Sequence, residues 1–167
     1  MIKKLVGVAL LSSVLFAKVT NIPATIEFID KTPMKIIDIR TKEEWEQMGV
    51  IKKSYLITFF DERYGYDSKI FLKELNKIIK KDEQFAVICN SGSRTKLIAN
   101  FLGVKNSYNV VNLTGGIHNL IKEGFQPTQY SQNAPKRFVE FTIDPSTEIL
   151  EKEASLETPI TESTSSK

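Results

Sequence analysis

The feature that most constrains the fold is the segment at residues 85–89, where four successive apolar residues run directly into the only cysteine of the 167-residue chain. An uninterrupted apolar run of this length suits a strand that helices cover on both faces, as in a parallel sheet. A short polar loop at residues 90–93 follows Cys89, and helix-forming residues occupy positions 94–101. The segment therefore predicts a buried strand, a loop and a helix, with a thiol where the strand meets the loop.

Apolar periodicity along the rest of the chain predicts an alternation of helices and strands. Helices are predicted at residues 23–31, 42–48, 68–81, 94–102 and 117–123, and strands at residues 35–39, 55–58, 85–89 and 108–113. This alternation is typical of an α/β fold in which helices cover both faces of a parallel sheet. Ligands of such sheets bind beyond the carboxyl ends of the strands, which is where Cys89 falls.

Residues 1–17 have the pattern of a secretory signal peptide. Two early lysines supply positive charge, residues 5–11 form an apolar core, and Ala17 is a small residue at the cleavage point. The apolar stretch is too short to span a bilayer comfortably, although the bulky Leu15 leaves an uncleaved anchor as the alternative. We expect an exported protein, in a bacterial periplasm, with no stable membrane span after the signal is cleaved.

Composition divides the remainder into one domain at residues 18–130 and a tail at residues 131–167. The domain is long enough to bury a core, and it carries 17 basic and 13 acidic side chains, a net charge of +4. This mild excess favours small anions such as thiosulfate and is far from the basic surface of a nucleic-acid-binding protein. The tail is rich in Ser, Thr and Glu and is punctuated by prolines, so we expect it to be flexible, with an edge strand at residues 137–143 left open.

Cys89 is the candidate nucleophile. A single cysteine in an exported protein cannot form an internal disulfide, so its thiol stays free. A thiolate near neutral pH needs positive potential, which loop amides, the amino terminus of the next helix and Arg94 can supply. Gly92 allows a sharp turn, and the small Ser91 and Ser93 leave successive amides free to point inward. A buried structural cysteine at the end of an apolar strand is the alternative, and it stays open.

The spacing within the loop carries a resemblance to a known family. Cysteine, glycine and arginine stand at its first, fourth and sixth positions, and Cys89, Gly92 and Arg94 in this pattern resemble the active loop of the rhodanese (sulfurtransferase) family. Related phosphatase and arsenate reductase loops have five residues between cysteine and arginine, whereas this chain has four. The shorter loop closes its amides around a single sulfur, so the resemblance implies a cysteine persulfide rather than a phosphocysteine.

Two further segments extend the resemblance over most of the predicted domain. An apolar strand at residues 34–40 ends in Asp-x-Arg and precedes a helix start, with Thr41 as the cap and Glu44 three residues later, like the family's amino-terminal signature. Residues 110–117 resemble the family's last strand and its glycine pair. The chain departs from the family at residues 49–54, which lack the histidine, the proline and the second glycine of the usual Gly-His-Ile-Pro-Gly-Ala.

The resemblance implies a two-step sulfur transfer that uses no metal and no organic cofactor. Cys89 is the implied catalytic residue, and Asp38 and Arg40 are implied structural support. The implied substrate-binding residues are Asn90, Ser91, Gly92, Ser93, Arg94 and Thr95. The implied partners are a small sulfur donor such as thiosulfate or a persulfide, a thiol or cyanide-like acceptor, and a protein as a further sulfur acceptor.

Three alternatives stay open. The chain can be a sulfur carrier that serves one partner with little turnover, or a silent interaction domain that keeps the fold without reactivity. A phosphatase or arsenate reductase is the third, and the short loop opposes it. His118, the only histidine, is expected on a helix surface with no cysteine or carboxylate at ligand spacing, so no metal site is predicted.

Overall fold

The computed structural model describes residues 19–61, 63–131 and 138–139. The predicted signal peptide, and all of the predicted tail apart from residues 131 and 138–139, lie outside this part of the chain. In chain order the elements are β1 (Val19–Pro23), α1 (Ile26–Lys31), β2 (Ile36–Asp38), α2 (Lys42–Met48), β3 (Tyr55–Ile57), α3 (Ser68–Ile78), β4 (Gln84–Ile88), α4 (Ser93–Asn100), β5 (Asn109–Thr114), α5 (Gly116–Lys122) and β6 (Phe138–Val139). Within the described ranges, no helix has the length and apolar character needed to cross a bilayer.

The six strands of the described residues form one sheet in the order β1-β5-β4-β2-β3-β6, and every pair is parallel. β4 lies in the interior of the sheet, paired with β5 on one side and with β2 on the other. Parallel neighbours need crossover connections, and helices between β2 and β5 supply them. The predicted fold class, an α/β fold with a parallel sheet, is confirmed.

Two apolar layers cover the sheet, one on each face. Successive side chains of β4 point to opposite faces, so Phe85 and Val87 share one layer with Cys89, whereas Ala86 and Ile88 belong to the other. The first layer also contains residues of α3 and α4, and the second contains residues of α1 and α5. Burial on both faces accounts for the uninterrupted apolar run that ends at the cysteine.

The sequence patterns do not predict β1, because this segment is short of apolar residues and ends in Pro23. Proline is tolerated where a strand lies at the edge of a sheet, and β1 is such an edge strand, paired with β5 alone. A side-chain hydrogen bond from Asn112 to Asn21, at 2.8 Å, joins the two strands. Tertiary pairing therefore fixes a strand that local patterning leaves undefined.

The largest differences from the predicted helix bounds lie at three ends. The helix predicted at residues 23–31 begins at Ile26, because the hydroxyl of Thr25 caps it by accepting a hydrogen bond from the backbone N–H of the third helical residue at 3.1 Å. The helix predicted at residues 68–81 ends at Ile78. The helix that follows the cysteine loop continues beyond its predicted end in a π-helical turn, Phe101–Lys105.

Part of the predicted tail joins the sheet. Phe138–Val139 form β6, which pairs with β3 in the register Leu56↔Phe138 and Ile57↔Val139. These two residues lie in the segment for which the sequence leaves an edge strand open. The domain boundary at residue 130 and the flexibility of the tail beyond it stay predictions.

Candidate active site

The candidate site lies at the carboxyl edge of the sheet, where β2, β4 and β5 end side by side. Because β4 is between the other two, Cys89 is flanked by the residues that follow both neighbours. The backbone N–H of Ile39 donates to the carbonyl of Ile88 at 3.0 Å on one side. On the other side, the N–H of Ile117 donates to the carbonyl of Cys89, also at 3.0 Å. The topology thus brings the Asp-x-Arg segment and the glycine pair to the cysteine loop.

Cys89 is completely buried at the base of this loop. Its sulfur accepts a hydrogen bond from the backbone N–H of Gly92 at 3.2 Å, and its thiol contacts the hydroxyl of Thr95 at 3.8 Å. Thr95 is buried too, and it donates its hydroxyl hydrogen to the carbonyl of Gly92 at 3.1 Å. The loop therefore closes over the sulfur, and α4 begins at Ser93 with its positive end at the same place.

Packing against α5 fixes the shape of the loop backbone. Gly92 has a φ of +90°, in the left-handed region that favours glycine, and a β-carbon there would lie 2.8 Å from the backbone nitrogen of Gly115. A β-carbon on Gly116 would lie 2.3 Å from the carbonyl oxygen of Cys89 and 2.5 Å from that of Asn90. The same two carbonyls accept hydrogen bonds from amides in the first turn of α5, both at 3.0 Å. The glycine pair is therefore required for the close contact between α5 and the loop.

The remaining loop residues have different surroundings. Ser91 and Ser93 are exposed, and their hydroxyl oxygens lie 3.2 Å apart. Asn90 is half-buried, and its side-chain oxygen is buried with no hydrogen-bond partner among the described residues. Of the predicted substrate-binding residues, the two serines are therefore the most open to an incoming molecule, whereas Thr95 supports the loop from beneath.

Arg94 forms a two-point ion pair with Glu44 of α2. Its Nη1 lies 2.7 Å from Oε2 of the carboxylate and its Nη2 lies 2.5 Å from Oε1. The two side chains are only 18% and 21% exposed. Glu44 Oε2 also accepts from the backbone N–H of Thr41 at 3.1 Å, and the Glu44 N–H donates to the Thr41 hydroxyl at 3.4 Å. The predicted capping box is confirmed, and its glutamate has a second partner in the cysteine loop.

The pair favours the charged forms of both groups. Burial disfavours the Arg94 cation, but the hydrogen bond and charge of Glu44 outweigh burial, and the pKa of Arg94 is raised. Burial likewise disfavours the Glu44 carboxylate, but hydrogen bonds from Arg94 and from the Thr41 amide outweigh it, and the pKa of Glu44 is lowered. Cys89 makes a smaller contribution that also raises the pKa of Arg94.

A second ion pair, Asp38–Arg40, lies completely buried at the end of β2. The Arg40 Nη2 donates to Asp38 Oδ2 at 2.7 Å, and the Arg40 Nε donates to Asp38 Oδ1 at 3.0 Å. Arg40 Nη2 also donates to the carbonyl of Gly49 at 2.8 Å, and Nη1 to the carbonyl of Glu44 at 3.5 Å. Arg40 therefore anchors α2 to the sheet, and α2 in turn carries the Glu44 side chain that binds Arg94.

Sequence reasoning places Cys89, Gly92 and Arg94 in one loop, where the structure has them, but it misses the role of Glu44 in this site. This role depends on the strand order of the sheet, because β2 lies beside β4 and the first turn of α2 therefore reaches the cysteine loop. The capping role of Glu44 explains its presence without that contact. His118 is exposed at the start of α5, and the described residues contain no cluster of side chains suited to a metal ion.

The match to a protein family is extensive. A family model for the rhodanese-like domain matches residues 24–123, which is more than half of the chain. The chain therefore belongs to the rhodanese-like domain family, as the three sequence segments predict.

Individual relatives match only part of the chain. An uncharacterized protein of Rickettsia prowazekii (strain Madrid E) is 32% identical over an alignment of 82 residues, which covers 45% of this chain and 64% of the relative. The chain thus spans less than two thirds of the length of the curated relatives it matches. A rhodanese-like domain protein from Staphylococcus aureus is 26% identical, over 65% of this chain and 98% of that chain, with a TM-score of 0.48. The rhodanese-like domain of an Anabaena protein is 12% identical, over 72% of this chain and 89% of that domain, with a TM-score of 0.49.

Proposed function

We propose that this protein is a sulfurtransferase that moves sulfane sulfur from a small donor to a thiophilic acceptor through a persulfide on Cys89. The observation that carries the proposal is the hydrogen bond from the Gly92 N–H to the Cys89 sulfur at 3.2 Å, in a loop with four residues between cysteine and arginine. A backbone amide directed at a single sulfur stabilises negative charge there. A tetrahedral oxyanion needs a wider ring of amides, so the same loop disfavours a phosphatase or an arsenate reductase.

The first step loads the enzyme. The Cys89 thiolate attacks the outer sulfur of thiosulfate, the new S–S bond forms as the donor's S–S bond breaks, and sulfite leaves with the bonding electron pair. Cys89 then carries the persulfide, whose terminal sulfur lies among the loop amides. In the second step a thiol or cyanide attacks that terminal sulfur, and the Cys89 thiolate leaves with the electron pair. Both steps balance in atoms and electrons without any further redox partner.

The complete burial of Cys89 favours a second candidate function, a sulfur carrier or interaction module with little turnover. A buried sulfur reacts only with a donor that the loop admits. A carrier would therefore exchange sulfur readily with one protein partner and react slowly with free thiosulfate.

Export to a bacterial periplasm is part of the proposal, on the pattern of residues 1–17. Cell fractionation of the full chain tests it directly. Recovery of a shortened chain in the periplasmic fraction is expected, and retention of the full-length chain in the membrane fraction would favour the uncleaved anchor.

Intact mass spectrometry of the folded protein, before and after incubation with thiosulfate, tests the proposed function. We expect the wild type to gain one sulfur atom and to lose it again when cyanide is added. Cys89→Ser is the matched control, because it differs by one atom, and it should gain nothing. If a sulfur-loaded protein raises the wild-type mass, while neither thiosulfate nor a low-molecular-weight persulfide does so, the result would favour the carrier. No gain from any donor would overturn the sulfurtransferase.

A further inference from the structure

The ion pair between Glu44 and Arg94 has no part in the reaction steps above, yet its cation belongs to the loop that carries the reacting cysteine. Arg94 follows Cys89 by five residues in the cysteine loop, and both terminal nitrogens of its guanidinium are held by the carboxylate of Glu44. Two parallel hydrogen bonds fix the plane of a guanidinium as well as its position. Arg94 is therefore not a freely moving cation above the loop.

The position of Glu44 is itself fixed from two sides. The capping box holds its carboxylate to the Thr41 backbone at the start of α2. Arg40, buried and paired with Asp38, donates to the carbonyls of Glu44 and Gly49 and so anchors α2 to the sheet. A rigid path of hydrogen bonds thus runs from the end of β2, through α2, to the cation beside the cysteine.

The pair also determines the charge that a donor meets. Residues 90–93 carry no charged side chain. Arg94, the second residue of α4, therefore supplies the first charged side chain after Cys89. The Glu44 carboxylate cancels that charge at hydrogen-bonding distance. Uncompensated Arg94 would attract a dianion such as thiosulfate strongly, whereas the neutral pair attracts it weakly.

We propose that Glu44 is a positioning and specificity-determining residue, which holds Arg94 beside Cys89 and cancels its charge so that the loop favours sulfur donors of low negative charge. The donor preference rests on the proposed function, whereas the positioning of Arg94 does not. The favoured donor class is an organic persulfide with an uncharged substituent. The Cys89 thiolate attacks its outer sulfur, the S–S bond of the donor breaks, the organic thiolate leaves with the electron pair, and the proton stays on the transferred sulfur.

Two small alkylating reagents of different charge test the positioning without any sulfur transfer. Iodoacetate and iodoacetamide have nearly the same shape, and both react with the same thiolate, so the ratio of their rates reports the local charge and cancels the thiolate fraction. Glu44→Gln keeps the side-chain shape and an oxygen for the helix cap but removes the negative charge. We expect it to raise the iodoacetate-to-iodoacetamide ratio at Cys89 by about three- to tenfold at low ionic strength. Arg94→Gln should lower the ratio.

Glu46→Gln is the matched control, because Glu46 is exposed on the same helix and its change alters the net charge equally. Its ratio should equal that of the wild type. An unchanged ratio in Glu44→Gln that is folded by circular dichroism would overturn the proposal, as would an equal rise in Glu46→Gln. Resistance of Cys89 to both reagents in every variant would overturn it too, because the pair would then guard a sulfur that no small molecule reaches.

Donor kinetics test the preference. The ratio of kcat/KM for thiosulfate to kcat/KM for an alkyl persulfide should rise about three- to tenfold in Glu44→Gln and stay constant in Glu46→Gln. A changed alkylation ratio with no sulfur transfer from any donor would reject the proposed function and retain the positioning of Arg94. Sulfur transfer with an unchanged donor ratio would retain the proposed function and reject the role of Glu44 in donor choice.

Discussion

Two carboxylate–guanidinium pairs contact helix α2, and the two pairs have different roles. Asp38 and Arg40 are two residues apart and completely buried, and Arg40 also donates hydrogen bonds to the backbone carbonyls of Glu44 and Gly49. Glu44 and Arg94 are fifty residues apart, and each is about one-fifth exposed at the cysteine loop. The first pair is local in sequence and fixes the fold, whereas the second joins two distant segments at the site.

The difference shows how burial sets the consequence of losing one partner. A buried ion pair adds little net stability, but a charge left alone in the interior is very unfavourable. A partly exposed pair is screened by water and salt, so its loss changes stability little. The partly exposed pair can therefore change with function while the fold is retained, and the buried pair cannot.

Removal of one partner of the buried pair is expected to have the largest effect on stability. Arg40→Met leaves the Asp38 carboxylate buried without a cation, and we expect the free energy of unfolding to fall by about 3–5 kcal/mol. Urea denaturation at neutral pH measures this. The double variant with Asp38→Asn should recover part of the loss, because no buried charge then remains. A loss below about 1 kcal/mol would contradict the contrast between the pairs.

Glu44→Gln is expected to lower the free energy of unfolding by only about 0.5–1 kcal/mol, because the pair is partly exposed and glutamine keeps an oxygen for the helix cap. Glu46→Gln should stay within about 0.5 kcal/mol of the wild type. The same urea titrations provide both values. If Glu44→Gln destabilised the protein as much as Arg40→Met, both pairs would have to be considered part of the fold.

Acid should abolish the difference between wild type and Glu44→Gln. Burial alone would raise the pKa of Glu44, but hydrogen bonds from Arg94 and from the Thr41 amide outweigh it, so the pKa in the folded protein is lowered from its ordinary value of 4.5. The stability that this carboxylate contributes is complete above the unfolded pKa and is lost as pH falls through the lower, folded pKa. Urea denaturation should therefore show a difference in the free energy of unfolding that is constant near neutral pH. This difference should shrink as the pH falls below the folded pKa. A difference that grows on acidification would show the opposite pKa shift.

The parts of the fold that local patterns can specify are confirmed. Continuous apolar runs predict β2 and β4, and the threonine and glutamate around the start of α2 predict its capping box, because these signals depend on residues near in sequence. β1 depends on pairing with β5, about ninety residues away, so no local pattern announces it. The π-helical turn after α4 has no local sequence signal that we can identify.

The candidate site divides in the same way. Cys89, Gly92 and Arg94 are close in sequence, so their spacing reveals the loop, and the left-handed φ of Gly92 agrees with the sharp turn expected there. The contact between Glu44 and Arg94 requires the strand order of the sheet, which a single sequence does not contain. The burial of Cys89 also depends on tertiary packing, above all on α5 closing against the loop backbone.

The contact between α5 and the cysteine loop has a consequence for how the site can be altered. Main-chain atoms and glycines fix the course of this loop, whereas the side chains of Ser91 and Ser93 extend into solvent. The positions that fix the loop backbone are thus separate from the two serine positions that face an incoming molecule. A combinatorial library at positions 91 and 93 would vary what approaches the sulfur while leaving its cradle intact, which makes these two serines the natural starting point for redesign of the site.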